Sequence, residues 1–166
     1  LPGFYEGLFA VQDISSMLAV EAAGIKPGDK ILDVCAAPGG KTTYAAMLTG
    51  EEGSVVAGDV SEYKTAMIEE NCDRLGLDNV SVIIRDASER DEEHIGRYDV
   101  VIADVPCLGL GVIGRKKEIK YRIKDTDIES ITSLQKRIVE EAVKCVKPGG
   151  VMLYSTCSMT YEENEA

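Results

Sequence analysis

Short apolar runs alternate along the chain with longer segments of helical periodicity. The apolar runs predict five strands, over residues 30–35, 54–59, 80–85, 99–105 and 151–155. The segments between and before them predict helices, over residues 14–23, 40–48, 62–75 and 127–146. This alternation is typical of stacked βαβ units, so we predict one α/β domain with a mainly parallel sheet and helices on both faces.

Several predicted elements carry their own start or stop signals. Asp13 precedes the first helix as an N-cap residue, and Gly76 ends the helix over residues 62–75. In the helix over residues 127–146, apolar side chains recur every three or four positions and form a stripe that we expect to pack in the core. The Lys-Pro-Gly-Gly sequence at residues 147–150 predicts a turn before the last strand.

Three chemically distinctive motifs follow predicted strands. The first is a glycine-rich turn within residues 33–42, the second is Asp-Val-Pro-Cys at residues 104–107, and the third is Ser-Thr-Cys-Ser at residues 155–158. Because ligands bind at the carboxyl ends of the strands in an open α/β sheet, we expect these motifs to share one crevice. Two thiols, Cys107 and Cys157, would then meet the Asp104 carboxylate, a constellation that suits methylation at carbon 5 of a pyrimidine.

The glycine-rich turn differs from two familiar phosphate-binding patterns. A P-loop would require its leading glycine at Cys35, and the dinucleotide pattern G-x-G-x-x-G is absent. Acids follow the next two predicted strands, at Asp59 and Asp86, where they suit ribose hydroxyls and an adenine amino group. Ribose and adenine recognition without a phosphate cradle favours S-adenosylmethionine over NAD or ATP. Either acid taken alone could instead cap a helix.

The charge of the chain is unevenly distributed. Its formal net charge is -11, which does not favour contact with nucleic-acid phosphates. Residues 108–124, however, carry six basic side chains and one acid, directly after the second motif. We predict that this segment guides RNA to the crevice, although a solvated charged loop would show the same pattern. The candidate RNA-binding residues are Arg115, Lys116, Lys117, Lys120, Arg122 and Lys124.

Other features exclude several classes of protein. No apolar run reaches the roughly 18 residues of a membrane span, so we expect no membrane association. Five cysteines without a secretory signal indicate reduced thiols in the cytoplasm. The absence of CxxC spacing and the presence of one histidine, His94, argue against a metal site, a serine-hydrolase triad and a thiol reductase. The start at Leu1 and the polar end lead us to expect a fragment.

The motifs together resemble the Sun (Fmu) family of RNA cytosine-carbon-5 methyltransferases, especially its bacterial small-subunit ribosomal RNA branch. The matching stretches are residues 11–16, 33–42, 59, 86, 104–107, 111–113, 119–121, 154–158 and 162–164. They span nearly the whole chain in the family's order. Leu108 departs from the family's usual serine, which puts the shape of the pocket mouth in doubt, and Lys117 departs from a common proline.

The resemblance implies a fold, a cofactor and a role for each site residue. The implied fold is the Rossmann-like class I S-adenosylmethionine-dependent methyltransferase fold, here without the family's N-terminal RNA-binding regions and last strand pair. We would then expect an exposed sheet edge through which the fragment could dimerise, and a monomeric intact protein. The implied cofactor-binding residues are Cys35, Ala36, Ala37, Pro38, Gly39, Gly40, Lys41, Asp59, Asp86 and Asp104.

The roles of the two thiols depend on the resemblance as well. From the sequence alone, either Cys107 or Cys157 could attack carbon 6 of the pyrimidine ring. The resemblance implies that Cys157 is the nucleophile, that Cys107 assists release of the product and that Asp104 contacts N3. It favours ribosomal RNA as the substrate. Two alternatives remain. One is the same chemistry on transfer RNA, and the other is a cofactor- or RNA-binding domain that is inactive in isolation.

Overall fold

The computed structural model describes residues 1–114, 117, 119–122 and 124–165. Its centre is a five-stranded sheet in which every pairing between neighbouring strands is parallel. The order of the strands is β3-β2-β1-β4-β5. Their bounds are β1 Lys30–Asp33, β2 Ser54–Asp59, β3 Val80–Ile84, β4 Tyr98–Asp104 and β5 Val146–Ser155. Because the chain moves outward from β1 on one side and then returns to its other side, the switch point lies between β1 and β4.

Helices cover both faces of the sheet, as the sequence predicts. Their bounds are α1 Pro2–Tyr5, α2 Ile14–Ala22, α3 Gly40–Thr49, α4 Glu62–Leu75, α5 Ile119–Arg122 and α6 Asp125–Cys145. Two short 3₁₀ helices span Glu92–His94 and Leu110–Val112. The helices α2, α3 and α4 pack on one face, and α6 packs on the other. The predicted α/β class with a parallel sheet is therefore confirmed.

The core follows from the alternation of side chains along the strands. Adjacent residues Ile31 and Leu32 of β1 are both fully buried, yet they point to opposite faces and join different apolar clusters. On the α6 side, Ile138 and Ala142 pack against β4. The predicted apolar stripe of this helix is thus confirmed as core packing. Its bounds differ by one or two residues from the predicted 127–146.

Local sequence signals predict the ends of several strands and helices correctly. The predicted strand over 54–59 and the predicted helix over 62–75 have the observed bounds. The Asp13 side chain accepts a hydrogen bond from the Ser15 N–H at the start of α2. Gly76 ends α4 in the left-handed conformation, with φ of 64°. The other strands differ from their predicted bounds by one or two residues, with the exception of β5.

The predicted turn over residues 147–150 is wrong, because these residues lie inside β5. Val146 already pairs with Tyr98 of β4, and Val151 pairs with Val100. Between these two pairs β5 advances by five residues and β4 by only two. The extra residues of β5 therefore form an irregular bulge. Gly149, with φ of 83°, supplies the left-handed backbone that this bulge requires.

Within the described ranges, β5 and β3 form the two edges of the sheet. Dimerisation through the β5 edge stays a prediction. No helix among the described residues is both long and apolar enough to cross a membrane. The same part of the chain holds no group of three or more His, Cys, Asp or Glu side chains placed to bind a metal ion.

Candidate active site

The two candidate thiols meet because their strands are neighbours. Asp104 and Ser155, the last residues of β4 and β5, are partners in the parallel register. The loops that follow therefore leave the sheet side by side, and they bring Cys107 and Cys157 together with 2.8 Å between their Sγ atoms. The Cys157 N–H also donates to Cys107 Sγ over 3.3 Å. The structure thus joins two motifs that are fifty positions apart in the sequence.

The Asp104 carboxylate is held at the mouth of the crevice by two donors. Lys41 Nζ lies 2.7 Å from Asp104 Oδ2, and Ser155 Oγ donates to Asp104 Oδ1 over 2.7 Å. Lys41 stands at the start of α3, so its side chain reaches from the glycine-rich turn across to β4. Lys41 is expected from the sequence among the cofactor-binding residues, and its ion pair with Asp104 is not predicted there.

An open cavity of about 440 Å³ surrounds the thiols. Its lining includes Lys41, Asp104, Cys107 and Cys157, together with Ser16 of α2. Both its volume and its mixed polar and apolar lining fit the range of small-molecule sites. A single nucleobase placed here would contact the two thiols and the ion pair at once.

The glycine-rich turn is shaped by backbone freedom and by Asp59. Gly39 has φ of 104°, a conformation that disfavours any side chain, and its carbonyl accepts an early N–H of α3. Asp59 is 4% exposed, and its Oδ2 accepts the Ala37 N–H over 3.0 Å. Its Oδ1 accepts from the Val60 N–H and from Lys64 Nζ. Asp59 therefore fixes the turn as well as facing the crevice.

A second cavity, of about 290 Å³, adjoins the first. Its lining combines Asp59 and Asp86 with the apolar side chains Leu134 and Ile138 of α6. Asp104 lines both cavities, so molecules bound in the two would be neighbours at this carboxylate. Carboxylates that can accept hydrogen bonds from hydroxyl and amino groups, beside an apolar wall, suit an adenine nucleoside.

Asp86 has a local structural role in addition to lining this cavity. Its Oδ1 accepts from both the N–H and the hydroxyl of Ser88. These hydrogen bonds lower the pKa of the Asp86 carboxyl. No helix begins at Asp86, so it does not cap a helix but stabilises a turn within its own loop. Its contact with a cofactor stays a prediction.

The five thiols differ in how deeply they are buried. Burial raises the pKa of Cys35 to about 12, so the sulfur of the turn stays protonated at neutral pH. Burial also raises the pKa values of Cys72 and Cys145, which pack in the core. The pKa of Cys107 is raised to about 12 by burial and by the adjacent Cys157 sulfur. Cys157 is the exposed member of the pair.

Asp33 is a buried acid for which the sequence predicts no separate role. It is 1% exposed at the end of β1, where its Oδ2 accepts the Thr42 hydroxyl over 2.7 Å. Burial, helped by the Asp104 charge, raises the pKa of Asp33 to about 7, although the Thr42 hydrogen bond and the Lys41 charge act to lower it. At and below neutral pH, much of Asp33 is protonated, which leaves Lys41 to pair with Asp104.

The predicted RNA-binding segment is described only in part. Arg115 and Lys116 lie outside the described residues, and the side chains of Lys120 and Arg122 do as well. Lys117 and Lys124 are exposed. Contact between this segment and RNA therefore stays a prediction.

Comparison with known proteins places the chain among RNA methyltransferases. The probable ribosomal RNA small subunit methyltransferase B of Bacillus subtilis is 39% identical over 163 residues, which cover 98% of this chain and 36% of that protein. The tRNA (cytosine(72)-C(5))-methyltransferase of Pyrococcus horikoshii is 36% identical over 168 residues, or 99% of this chain and 41% of that protein. The chain thus spans about two fifths of the curated relatives that it matches.

Solved structures agree in fold. The structure of NSun6 from Pyrococcus horikoshii with SFG matches with a TM-score of 0.90 at 36% identity, covering 99% of this chain and 42% of that one. A SAM-dependent O-methyltransferase from Thermotoga maritima, at 21% identity and a TM-score of 0.64, shares the fold alone. This match covers 92% of this chain and 48% of that one. The family described as 16S rRNA methyltransferase RsmB/F matches residues 21–166, and the chain belongs to that family.

Proposed function

We propose that this chain is the catalytic domain of an enzyme that methylates carbon 5 of cytosine in RNA, with S-adenosylmethionine as methyl donor. One observation carries the proposal: two thiols 2.8 Å apart share a cavity with the Lys41–Asp104 pair. That cavity adjoins a second one whose carboxylates and apolar wall suit an adenine nucleoside. Relatives named for cytosine-C5 methylation of ribosomal and transfer RNA support it.

The cofactor would be held by the turn over residues 35–41 together with Asp59 and Asp86. The Asp59 carboxylate suits the ribose hydroxyls, and the apolar wall of α6 suits the adenine ring. A relative of the same fold has been solved with SFG, an analogue of S-adenosylmethionine. When bound, the cofactor supplies an electrophilic methyl group to the neighbouring cavity.

Carbon 5 of cytosine is a weak nucleophile, so the enzyme has to activate the ring by covalent catalysis. The Cys157 thiolate adds to carbon 6, which forms a C–S bond and moves the double-bond electrons through the ring toward N3. Carbon 5 then has enamine character and would take the methyl group of bound S-adenosylmethionine, whose methyl–sulfur bond would break and leave S-adenosylhomocysteine. Loss of the carbon 5 proton to a base returns the electrons, the C–S bond breaks, and the Cys157 thiolate leaves 5-methylcytosine.

The geometry supports different roles for the two thiols. Cys157 is exposed to the cavity, whereas Cys107 is half-buried with its pKa raised to about 12. Because Cys107 keeps its proton at neutral pH, its S–H can donate to the Cys157 sulfur across the 2.8 Å contact. We therefore assign attack to Cys157 and assistance in product release to Cys107.

Asp104 would act on the pyrimidine ring at N3, whereas Cys157 adds to carbon 6. Its carboxylate is fixed by Lys41 and Ser155, which prevents it from turning away from the cavity. We propose that N3 takes a proton from water as it gains electron density, that the Asp104 carboxylate accepts a hydrogen bond from the resulting N3–H, and that this proton returns to water when the C–S bond breaks. Preorganised charge of this kind is effective because it needs no rearrangement during the reaction.

Ribosomal RNA is the favoured substrate, since the matching family and several relatives carry ribosomal names. Transfer RNA is the second candidate because of the Pyrococcus relative. We propose a cytoplasmic location on the same grounds. The test is to incubate the full-length protein with small-subunit ribosomal RNA or transfer RNA and measure 5-methylcytosine by nucleoside mass spectrometry. Methylation by neither the full-length protein nor this chain would contradict the proposal.

A further inference from the structure

A single buried carboxylate connects the two thiol loops. Glu163 is 2% exposed, although it lies in an irregular segment near the end of the chain. Its Oε2 accepts the N–H of Leu108, the residue after Cys107, over 3.0 Å. Its Oε1 accepts the hydroxyl of Ser158, the residue after Cys157. One side chain therefore bonds to the immediate neighbour of each thiol.

The same carboxylate is anchored to the rest of the fold. Gln135 of α6 donates from Nε2 to Glu163 Oε2 over 3.0 Å and to the Pro106 carbonyl over 2.8 Å. Thr160 Oγ1 donates to Glu163 Oε1 over 2.9 Å. The Tyr154 hydroxyl of β5 donates to the Glu163 carbonyl over 2.7 Å. The residues on both sides of Cys107 are thus fixed to α6, and Cys157 is fixed to the same point.

Four hydrogen-bond donors explain why the buried Glu163 side chain is stable as a charged carboxylate. Burial alone would raise the pKa of Glu163, but the hydrogen bonds from Ser158, Leu108, Gln135 and Thr160 outweigh burial and lower the pKa. Ionised carboxylates form stronger hydrogen bonds than neutral groups do. A neutral amide of the same size would have to turn its oxygen toward Leu108 and Gln135 and donate its NH₂ to the Ser158 and Thr160 hydroxyls, and it would lose the charge that strengthens all four bonds.

We propose that Glu163 is a positioning residue that sets the separation of the Cys107 and Cys157 thiols by clamping their loops to α6. This inference rests on the proposed function, in which these two thiols act on the same nucleotide. Glu163 acts through Leu108 and Ser158 rather than on the reacting atoms. A catalytic pair displaced by about 1 Å can lose roughly a hundredfold in rate, so such a clamp has a measurable consequence.

The separation of the thiols can be measured without any methyl transfer. Glutathione disulfide oxidises the pair: the Cys107–Cys157 S–S bond forms, and two molecules of reduced glutathione carry away the two protons and two electrons. The equilibrium constant of this exchange gives the effective concentration of one thiol at the other. Peptide mapping by mass spectrometry after an alkylating quench follows this disulfide specifically in the full chain.

The deciding comparison is between Glu163→Gln and Glu162→Gln. The second variant makes the same chemical change at the adjacent, exposed position and is the matched control. We expect Glu163→Gln to lower the effective concentration about tenfold or more, equivalent to about 1.4 kcal/mol, and Glu162→Gln to leave it unchanged. An unchanged value in folded Glu163→Gln would overturn the proposal.

If Glu163→Gln does not fold, a second variant tests whether Glu163 positions the two thiols. Ser158→Ala removes the donor next to Cys157 and leaves Thr160, Leu108 and Gln135 bonded to Glu163. A lower effective concentration in Ser158→Ala supports the clamp, and an unchanged one refutes it. Methyl transfer by the unmodified protein is assayed in parallel. Loss of the proposed function would appear there, whereas loss of the positioning role would appear in the thiol equilibrium.

Discussion

Replacement of Asp33 by asparagine should change how the stability of the protein depends on pH. Asp33 is fully buried, its Oδ1 has no hydrogen-bond partner among the described residues, and its pKa is raised from 3.8 to about 7. In the unfolded chain the carboxyl ionises near pH 4, but in the folded protein it keeps its proton up to about pH 7. The folded state therefore binds more protons between these values, and its stability falls as the pH rises through this window.

The size of the effect follows from the two pKa values. A difference of one pKa unit corresponds to about 1.36 kcal/mol. Integrated from pH 5 to pH 8, the shift of Asp33 removes about 2.5 kcal/mol from the free energy of unfolding. Asparagine retains a carbonyl oxygen that can accept the Thr42 hydroxyl, but it cannot ionise, so this loss should disappear in Asp33→Asn.

The assay is urea unfolding, followed by circular dichroism at pH 5, 6, 7 and 8. The control is Asp78→Asn, which removes an exposed carboxylate from the loop before β3. We expect the unmodified protein and the control to lose about 2.5 kcal/mol more between pH 5 and pH 8 than Asp33→Asn does. If all three curves were parallel, the inference of a protonated Asp33 beside the Lys41–Asp104 pair would be wrong.

Two further predictions concern the cofactor turn and the thiol loop. Asp59→Ala should weaken S-adenosylmethionine binding in calorimetric titrations, because Asp59 both fixes Ala37 and faces the crevice, while exposed Asp73→Ala should bind normally. Gly111→Ala should slow methyl transfer by the full-length protein at saturating substrate, because a Cβ there would lie 2.8 Å from the Cys157 carbonyl oxygen. Gly114→Ala, where a Cβ meets no atom of the described residues within 4 Å, is its control. Equal affinities in the first pair, or equal rates in the second, would contradict these assignments.

Local sequence signals predict most of the fold because strand and helix ends are encoded locally here. The apolar run that ends in Asp59 and the helix that ends before Gly76 have the predicted bounds. The Pro-Gly-Gly sequence at residues 148–150 predicts a turn for the same reason, but there the local signal is overridden. Pairing of Val146 with Tyr98, 48 positions earlier, starts the strand before the turn residues and forces them into a bulge.

The candidate site is predictable to the extent that its residues stand at strand ends. Asp104, Cys107 and Cys157 converge because β4 and β5 are neighbours, which the expected βαβ order already favours. The cross-links between loops could not be predicted, because they join distant segments: Lys41 to Asp104 and Leu108 to Glu163. One residue does point to these links from the sequence. Gln135 is a polar residue next to the apolar stripe of α6, and in the structure it is 3% exposed and donates a hydrogen bond to Glu163.

The most direct test of the account is to trap the covalent adduct between protein and RNA. The full-length protein, with Cys107→Ser or Cys157→Ser, is incubated with substrate RNA and S-adenosylmethionine and analysed by denaturing electrophoresis and mass spectrometry. Cys107→Ser should accumulate RNA bonded to Cys157, because attack is intact and release is impaired. Cys157→Ser should form no adduct and no 5-methylcytosine. An adduct in Cys157→Ser, attached through Cys107, would contradict the assignment of the nucleophile and with it the proposed mechanism.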